Sequence, residues 1–128
     1  MDPRSESPGE SLSRVRMHEF GLPIPELQTT VLNRTCVFIA RVDFCLPTLG
    51  VIGEFDGRSK YGRLLKPGDS TADAVYNEKL REDALRALGT QVVRWTWPDL
   101  TDFTAAANRW RTAITRATKA PPPQWRIR

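Results

Sequence analysis

Strand-like segments between residues 27 and 56 constrain the fold most, because very short connections separate them. Leu27–Leu32, Val37–Phe44 and Val51–Asp56 are rich in β-branched and aromatic residues, which favour strands. Asn33-Arg34 and residues 47–50, which lie between them, are typical of turns. Strands joined by so few residues pair antiparallel with their neighbours, so this part of the chain predicts a three-stranded meander.

The N-terminal part predicts a helix. Ser7, Pro8 and Glu10 stand at the spacing of an N-cap, a first helical residue and the acid of a capping box. This helix should run to about Phe20, because Gly21 and two nearby prolines follow it. Residues 1–6, which precede it, are predicted to be disordered.

The C-terminal half predicts a helix, a strand and a second helix, over about residues 71–88, 91–97 and 101–118. The expected buried positions recur at helical spacing: Leu80, Ala84 and Leu88 in the first helix, and Phe103, Ala106, Trp110 and Ile114 in the second. The complete order, α-β-β-β-α-β-α, predicts an α/β domain with a mixed four-stranded sheet flanked by helices.

Size and composition place the chain in a broad class. A chain of 128 residues is expected to form one domain, assigned here to residues 7–118, with a basic, proline-rich tail at 119–128. No apolar run reaches membrane-spanning length and the N-terminus does not resemble a signal peptide, so the sequence predicts a cytoplasmic protein with no membrane partner. Cys36 and Cys45 are expected to be buried, reduced thiols, since two cysteines and a single histidine do not make a zinc site.

Positive charge is concentrated at the C-terminal end. The net charge is +4, but no acidic residue follows Asp102, whereas six of the nineteen basic residues do. Such an excess favours a polyanionic partner, and it predicts contact with nucleic acid through Arg109, Arg111, Arg116 and Lys119. A solvated helix and tail is the commoner outcome for a basic run, and it stays open as the alternative.

Acidic residues cluster at the end of the predicted meander. Glu54 and Asp56 lie two positions apart and so project from the same face of the third strand, while Asp43 lies on the preceding strand. Carboxylates that converge repel one another unless a cation neutralises them, and oxygen ligands select hard cations. The pattern predicts that Asp43, Glu54 and Asp56 bind Mg²⁺ or Mn²⁺.

Structural roles remain open for these acids. Asp56 precedes a glycine and could simply start a turn. Asp43 could pair with Arg41 or Arg58, and Glu10 could serve only its capping box. The spacing alone does not choose between these roles and metal binding.

Several short motifs stand in a recognisable order: residues 10–14, Gly21–Gln28, Arg41–Phe44, Gly53–Gly57 with Lys60-Tyr61, Glu78–Asp83 and Val92–Trp95. Their order and spacing resemble the PD-(D/E)XK nuclease superfamily. The resemblance is closer still to the very-short-patch-repair-like endonuclease domains of unknown function, which are found C-terminal to abortive-infection antitoxin-like segments. It covers roughly residues 5–100, and it implies a restriction-endonuclease-like fold and metal-dependent cleavage of DNA.

The resemblance also implies roles by position. Asp43 and Glu54 match the two metal-binding acids of the superfamily, and Asp56 stands nearby as a further ligand or as a group that orients water. Glu10 matches the acid of the first helix, often a further ligand or orienting group. Gln28 matches a polar residue of the first strand that lies near the site.

One position departs from the superfamily pattern. Asp56 stands where the superfamily usually has a lysine, which stabilises developing negative charge. A replacement cation is expected from Lys60 or Lys79. The alternatives are an exposed loop position for Lys60 and a surface ion pair with Asp83 for Lys79.

Three functions compete at this point. The leading hypothesis is a Mg²⁺-dependent endodeoxyribonuclease acting in repair or phage defence. The alternative is a catalytically degraded nuclease-fold module that binds nucleic acid or a protein partner, as an antitoxin-like protein would. A third hypothesis is a homodimer whose interface is built from the four tryptophans: Trp95, Trp97, Trp110 and Trp125.

Overall fold

A five-stranded mixed sheet runs through the structure, a computed structural model that describes residues 7–57 and 71–128. In the sheet the strands lie in the order β4-β3-β2-β1-β5; β3 and β4 are parallel and the other neighbours are antiparallel. The strands span β1 (Glu26–Asn33), β2 (Phe38–Leu46), β3 (Val51–Asp56), β4 (Gln91–Thr96) and β5 (Trp125–Ile127). The α/β class and the β1-β2-β3 meander are therefore confirmed. The predicted disorder of residues 1–6 lies outside the described residues.

Four helices flank the sheet in the described part of the chain: α1 (Pro8–Glu19), α2 (Thr71–Ala87), α3 (Trp97–Thr101) and α4 (Thr104–Lys119). The single last helix expected at 101–118 is wrong in detail, because a short separate helix precedes it. Asp99 accepts the Thr96 N–H at 2.9 Å in a capping box, which starts α3 early. Among the helices that the structure describes, none is both long enough and apolar enough to cross a membrane.

The sheet gains its fifth strand from the C-terminal tail. The prolines at 121–123 end α4, as expected, but the chain then returns to the sheet and β5 pairs with β1. The backbone N–H of Arg128 donates to the Thr30 carbonyl at 2.9 Å, and that of Gln124 donates to the Leu88 carbonyl at 2.7 Å. The prediction of a four-stranded sheet is therefore wrong, and the tail contributes the strand Trp125–Ile127.

One face of the sheet carries a layer of aromatic side chains, here called the aromatic layer: Phe44, Trp95, Phe103 and Trp110. Trp95 Nε1 donates to Ser13 Oγ at 2.8 Å, which joins α1 to this layer. Gly53 is required beneath it, because a Cβ there would lie 2.4 Å from the Trp110 ring. Trp95 and Trp110 are fully buried, so the hypothesis of a dimer interface built from all four tryptophans is wrong.

The other face packs against α2 through a smaller group, here called the α2 layer: Val42, Cys45, Ile52, Leu85 and Leu88. Leu88 is buried as expected, but Leu80 is 48 % exposed and does not belong to the buried face. The helix turns Leu85, which is fully buried, towards the sheet in its place. The predicted stripe was therefore wrong at its first position.

The two cysteines have different environments. Cys45 is a free, buried thiol, and burial raises its pKa to about 12, so it stays protonated. Cys36 is also free but exposed, in the turn between β1 and β2. The expectation of two buried thiols holds for Cys45 and is wrong for Cys36.

Candidate active site

The site begins where β2 and β3 separate. Backbone pairing joins residues 44–46 of β2 to residues 51–53 of β3 and stops there within the described strands. Beyond that point Phe55 N–H donates to Asp43 Oδ2 at 3.1 Å, and Asp43 N–H lies 3.5 Å from Glu54 Oε2. The two acidic side chains thus take the place of the next backbone hydrogen bonds, and a cleft opens between the strands.

An irregularity in β1 and β2 aims Asp43 into this cleft. Val42 and Cys45 both pack in the α2 layer, whereas strict alternation would place residues three apart on opposite faces. On β1, Gln28 lies between the residues that pair with Val42 and Phe44, and its backbone is left-handed, with φ of 49°. Such irregularities in a strand re-aim side chains, and here the redirected group is the Asp43 carboxylate.

Glu10 reaches the same cleft from the first turn of α1. Gln28 Nε2 donates to Glu10 Oε1 at 2.7 Å, and Ser7 Oγ donates to Glu10 Oε2 at 3.1 Å. Ser7 Oγ also accepts the Glu10 N–H at 3.3 Å, so the predicted cap of α1 is confirmed. Capping and a place in the cleft are therefore compatible, and Gln28 holds Glu10 beside Asp43.

Burial and nearby negative charge both raise the pKa of Asp43. Burial is the largest cause that raises its pKa to about 7, and the nearby carboxylates of Glu54 and Glu10 act in the same direction. The hydrogen bond from Phe55 and the charge of Arg81 lower the pKa but do not prevail. A proton or a metal cation at Asp43 would relieve the repulsion.

Glu54 divides its two oxygens between different neighbours. Its side chain is buried, and Oε1 accepts a short hydrogen bond from Arg81 Nη1, while Oε2 faces the backbone of Asp43. Arg81 Nη2 also donates to the Arg41 carbonyl at 2.6 Å, which fixes the guanidinium against β2. One oxygen of Glu54 is thus committed to an arginine and the other points to the neighbouring acid.

Sequence reasoning missed Arg81 as a site residue. Arg81 lies four positions before Leu85, so the two residues share the inner face of α2, and Leu88 continues this line just after the helix ends. A search for apolar residues alone does not find Arg81, because the buried face of α2 has an arginine, and not an apolar residue, where it approaches the site. A charged residue on a buried helical stripe was the available signal.

A second arginine extends the charged network along β4. Arg94 Nη2 lies 2.5 Å from Glu78 Oε1, and Arg94 Nε donates to Glu82 Oε1 at 2.7 Å. Although burial raises it, hydrogen bonds from Arg94 and Arg86 hold the pKa of Glu82 below its ordinary value. The middle of α2 is therefore attached to the sheet through ion pairs.

These side chains line an open cleft of about 520 Å³. Its charged lining residues in the described part of the chain are five acids and two arginines: Glu10, Asp43, Glu54, Asp56, Glu78, Arg81 and Arg94. Within residues 7–57 and 71–128, no group of three or more His, Cys, Asp or Glu side chains stands ready to hold a metal ion. The cleft brings Asp43, Glu54 and Asp56 to one surface, and its carboxylate oxygens are of the chemical type that Mg²⁺ binds.

The two candidate lysines do not lie in the described cleft. Lys79 is 72 % exposed on α2, where Nζ lies 3.4 Å from Asp83 Oδ2, as the surface-pair interpretation expected. Lys60 lies outside the described residues, as does Arg58, one of the two suggested partners of Asp43. In the part of the cleft that the structure describes, positive charge comes from arginine.

Comparison of the chain with protein-family models, with curated proteins and with solved structures finds no match. The resemblance to nucleases therefore rests on the motifs quoted above. The arrangement of the acids and arginines at the split between β2 and β3 does not depend on that resemblance, because it is a feature of the structure itself.

Proposed function

We propose that this chain is a metal-dependent nuclease of the restriction-endonuclease-like fold that cleaves DNA phosphodiester bonds in repair or phage defence. The observation that carries the proposal is the position of Asp43 and Glu54 at the split between β2 and β3, with Glu10 beside them. Acids brought together in an open cleft, at a point where two strands part, are well placed to act on a phosphate.

The residues present fit a hard divalent cation in their donor chemistry. Asp43, Oε2 of Glu54 and the nearby Asp56 would hold Mg²⁺ or Mn²⁺. Burial and the neighbouring carboxylates raise the pKa of Asp43, and a cation would offset the repulsion among these acids. When bound, such an ion supplies Lewis-acid chemistry at the phosphoryl oxygen. Asp56 would add a ligand or orient the attacking water.

Arg81 would supply the charge that the superfamily usually takes from lysine. Its side chain is 27 % exposed, so it is accessible from the cleft while Glu54 holds it in place. A guanidinium group is a cation whose planar fork of N–H donors binds phosphate oxygens. It would therefore offset negative charge that develops on the phosphate, but it would not act as a base.

The test is nicking of supercoiled plasmid with Mg²⁺ or Mn²⁺ by the full chain and by Asp43→Asn and Glu54→Gln. We expect each substitution to lower the rate by at least ~100-fold. The asparagine side chain would still offer an oxygen to Phe55 N–H, so a loss of activity would not reflect a lost acceptor. Asp83→Asn, which removes an exposed carboxylate of α2, is the matched control and should nick at the original rate.

Metal binding gives a readout that does not require activity. Mg²⁺ or Mn²⁺ should raise the melting temperature of the full chain by several degrees at saturating concentration, because a ligand that binds only the folded state stabilises it. The rise should disappear in Asp43→Asn and persist in Asp83→Asn. Intact plasmid together with no metal-dependent rise would overturn the nuclease proposal.

One observation favours the alternative, a non-catalytic module that binds nucleic acid or a partner protein. Arg81 already neutralises one oxygen of Glu54 in the structure, as a structural ion pair would. DNA binding that weakens with salt but causes no nicking, and that is unchanged in Glu54→Gln, would support this second function.

A further inference from the structure

A second cleft lies beside the first, between β4 and α4. It encloses about 330 Å³ and is lined by four arginines, Arg86, Arg94, Arg109 and Arg116, and by the polar residues Gln91, Asn108 and Thr112. None of its described lining residues is acidic. We call it the arginine cleft. Guanidinium, amide and hydroxyl groups together are the donors that proteins present to phosphate and sugar oxygens.

The guanidinium groups of the arginine cleft are held in place from outside it. Arg86 and Arg94 are anchored by Glu82, and Arg109 Nη2 lies 3.1 Å from Asp99 Oδ2. These acids do not line the cleft. Arg116, by contrast, makes no ion pair with any residue in the described part of the chain, so its charge is the most available to a ligand.

Arg94 belongs to both clefts. Its side chain lines the acidic cleft that contains Asp43 and Glu54 and also the arginine cleft. A nucleic-acid strand with one phosphate in the acidic cleft would therefore place its neighbouring phosphates in the arginine cleft. A small anion would need only one of these surfaces, whereas a polymer uses both.

Only two of the four basic residues predicted to bind nucleic acid lie in the arginine cleft. Arg109 and Arg116 line the arginine cleft. Arg111 lies on another side of α4, where Nη2 donates to the Phe20 carbonyl at 2.9 Å, and Lys119 ends the helix outside the lining. Arg86 and Arg94, which the sequence did not single out, join the first two.

We infer that the arginine cleft binds the DNA backbone next to the phosphate that is cut, with Arg116 as its principal phosphate contact. The inference rests on the proposed function, because it names where the substrate of that site continues. Its ligand is the sugar-phosphate backbone of duplex DNA, so it contributes affinity and position without reading sequence.

The test compares Arg116→Glu with Arg126→Glu. Both replacements change the net charge equally, but Arg126 lies on β5, at the opposite edge of the sheet from β4. Binding of a fluorescent DNA duplex is measured as a function of salt, in an Asp43→Asn background that prevents cutting. Thermal melts confirm that both proteins fold.

We expect Arg116→Glu to weaken binding by at least ~10-fold and to reduce the slope of log affinity against log salt by about one, the change for one lost phosphate contact. Arg116→Ala should weaken binding less, in the same direction. Arg126→Glu should change affinity by less than ~3-fold. Equal losses for Arg116→Glu and Arg126→Glu, or no binding by the parent protein, would overturn the inference.

The outcomes for the two proposals are separable. If the parent protein nicks plasmid but Arg116→Glu and Arg126→Glu bind DNA equally well, the arginine cleft is not a DNA-binding site and the nuclease proposal stands. If DNA binding depends on Arg116 but the parent protein does not nick plasmid, the arginine cleft is a DNA-binding site and the catalytic proposal is rejected.

Discussion

The two faces of the sheet are held in different ways. The aromatic layer is covered by α1, α3 and α4 and is built from large rings that contact one another within about 6 Å, such as Trp95 and Trp110 at 5.5 Å between centroids. The α2 layer has one helix, which contributes the buried apolar side chain of Leu85, and Leu88 adds another just after the helix ends. Towards its N-terminus the helix meets the sheet through Arg81 and Glu78 instead.

The difference separates an apolar face that stabilises the sheet from a face that carries the charged cleft. Packed rings on one face secure the sheet, so the other face can accept charged groups that would be unfavourable in a closed core. The acidic cleft lies where the apolar part of the α2 layer ends. Substitutions on the two faces should therefore differ in size and in their dependence on pH.

The largest effect should come from the aromatic layer. Trp110→Ala removes a fully buried ring and should lower the free energy of unfolding by about 3–5 kcal/mol. Trp97→Ala is the control; its side chain is 46 % exposed, and the loss should stay below ~1.5 kcal/mol. Urea denaturation measures both. Similar losses would contradict the claim that the buried rings dominate the stability of the sheet.

A smaller, pH-dependent effect should come from the cleft. The folded state holds the pKa of Asp43 near 7 instead of 3.8, so it retains a proton that the unfolded chain releases above about pH 4. Stability from this group is therefore complete below pH 4 and is lost as pH rises to 7. Asp43→Asn does not titrate, and in the absence of divalent metal it should be more stable than the parent by roughly 1–3 kcal/mol at pH 8.

Urea denaturation between pH 3.5 and 8 measures this difference. The two proteins should unfold at similar urea concentrations at the acid end and should diverge as pH rises. Asp83→Asn controls for the loss of a carboxylate outside the cleft. A difference that stays constant across the range would show that Asp43 does not carry a raised pKa.

The smallest effect should come from the exposed side of α2. Leu80→Ala should change the free energy of unfolding by no more than ~0.5 kcal/mol, because about half of the Leu80 side chain is exposed and it packs in neither apolar layer. Leu85→Ala, five positions later, removes a fully buried side chain and should lower it by about 2–4 kcal/mol. Equal losses in thermal or urea melts would mean that the inner face of α2 has been assigned to the wrong residues.

Much of the fold was predictable because its elements carry strong local patterns. The bounds of β3 match the prediction, since Val51 and Ile52 follow a turn and the strand ends before Gly57. The strand β5 was missed because three residues after a proline run carry no periodic signal. Pairing with β1, rather than local preference, makes that segment a strand.

The identity of the acids in the site was predictable from the sequence, but the direction in which their side chains point was not. Asp43 and Glu54 meet because neighbouring strands bring them together, which spacing alone suggests. The left-handed backbone of Gln28 and the step between Val42 and Cys45 break the alternation on which such reasoning depends. Arg81 was missed because its partner is on a strand 27 positions earlier in the chain.

The hydrogen bond from Phe55 N–H to Asp43 gives this acid two duties. It fills a vacancy in the ladder between β2 and β3, and it also presents negative charge to the cleft. The sheet would need an acceptor at position 43 whatever the cleft does, because the Phe55 N–H has no backbone partner on β2 at this point. An Asp or Asn at this position would therefore be required by the sheet itself, because either side chain accepts the Phe55 N–H.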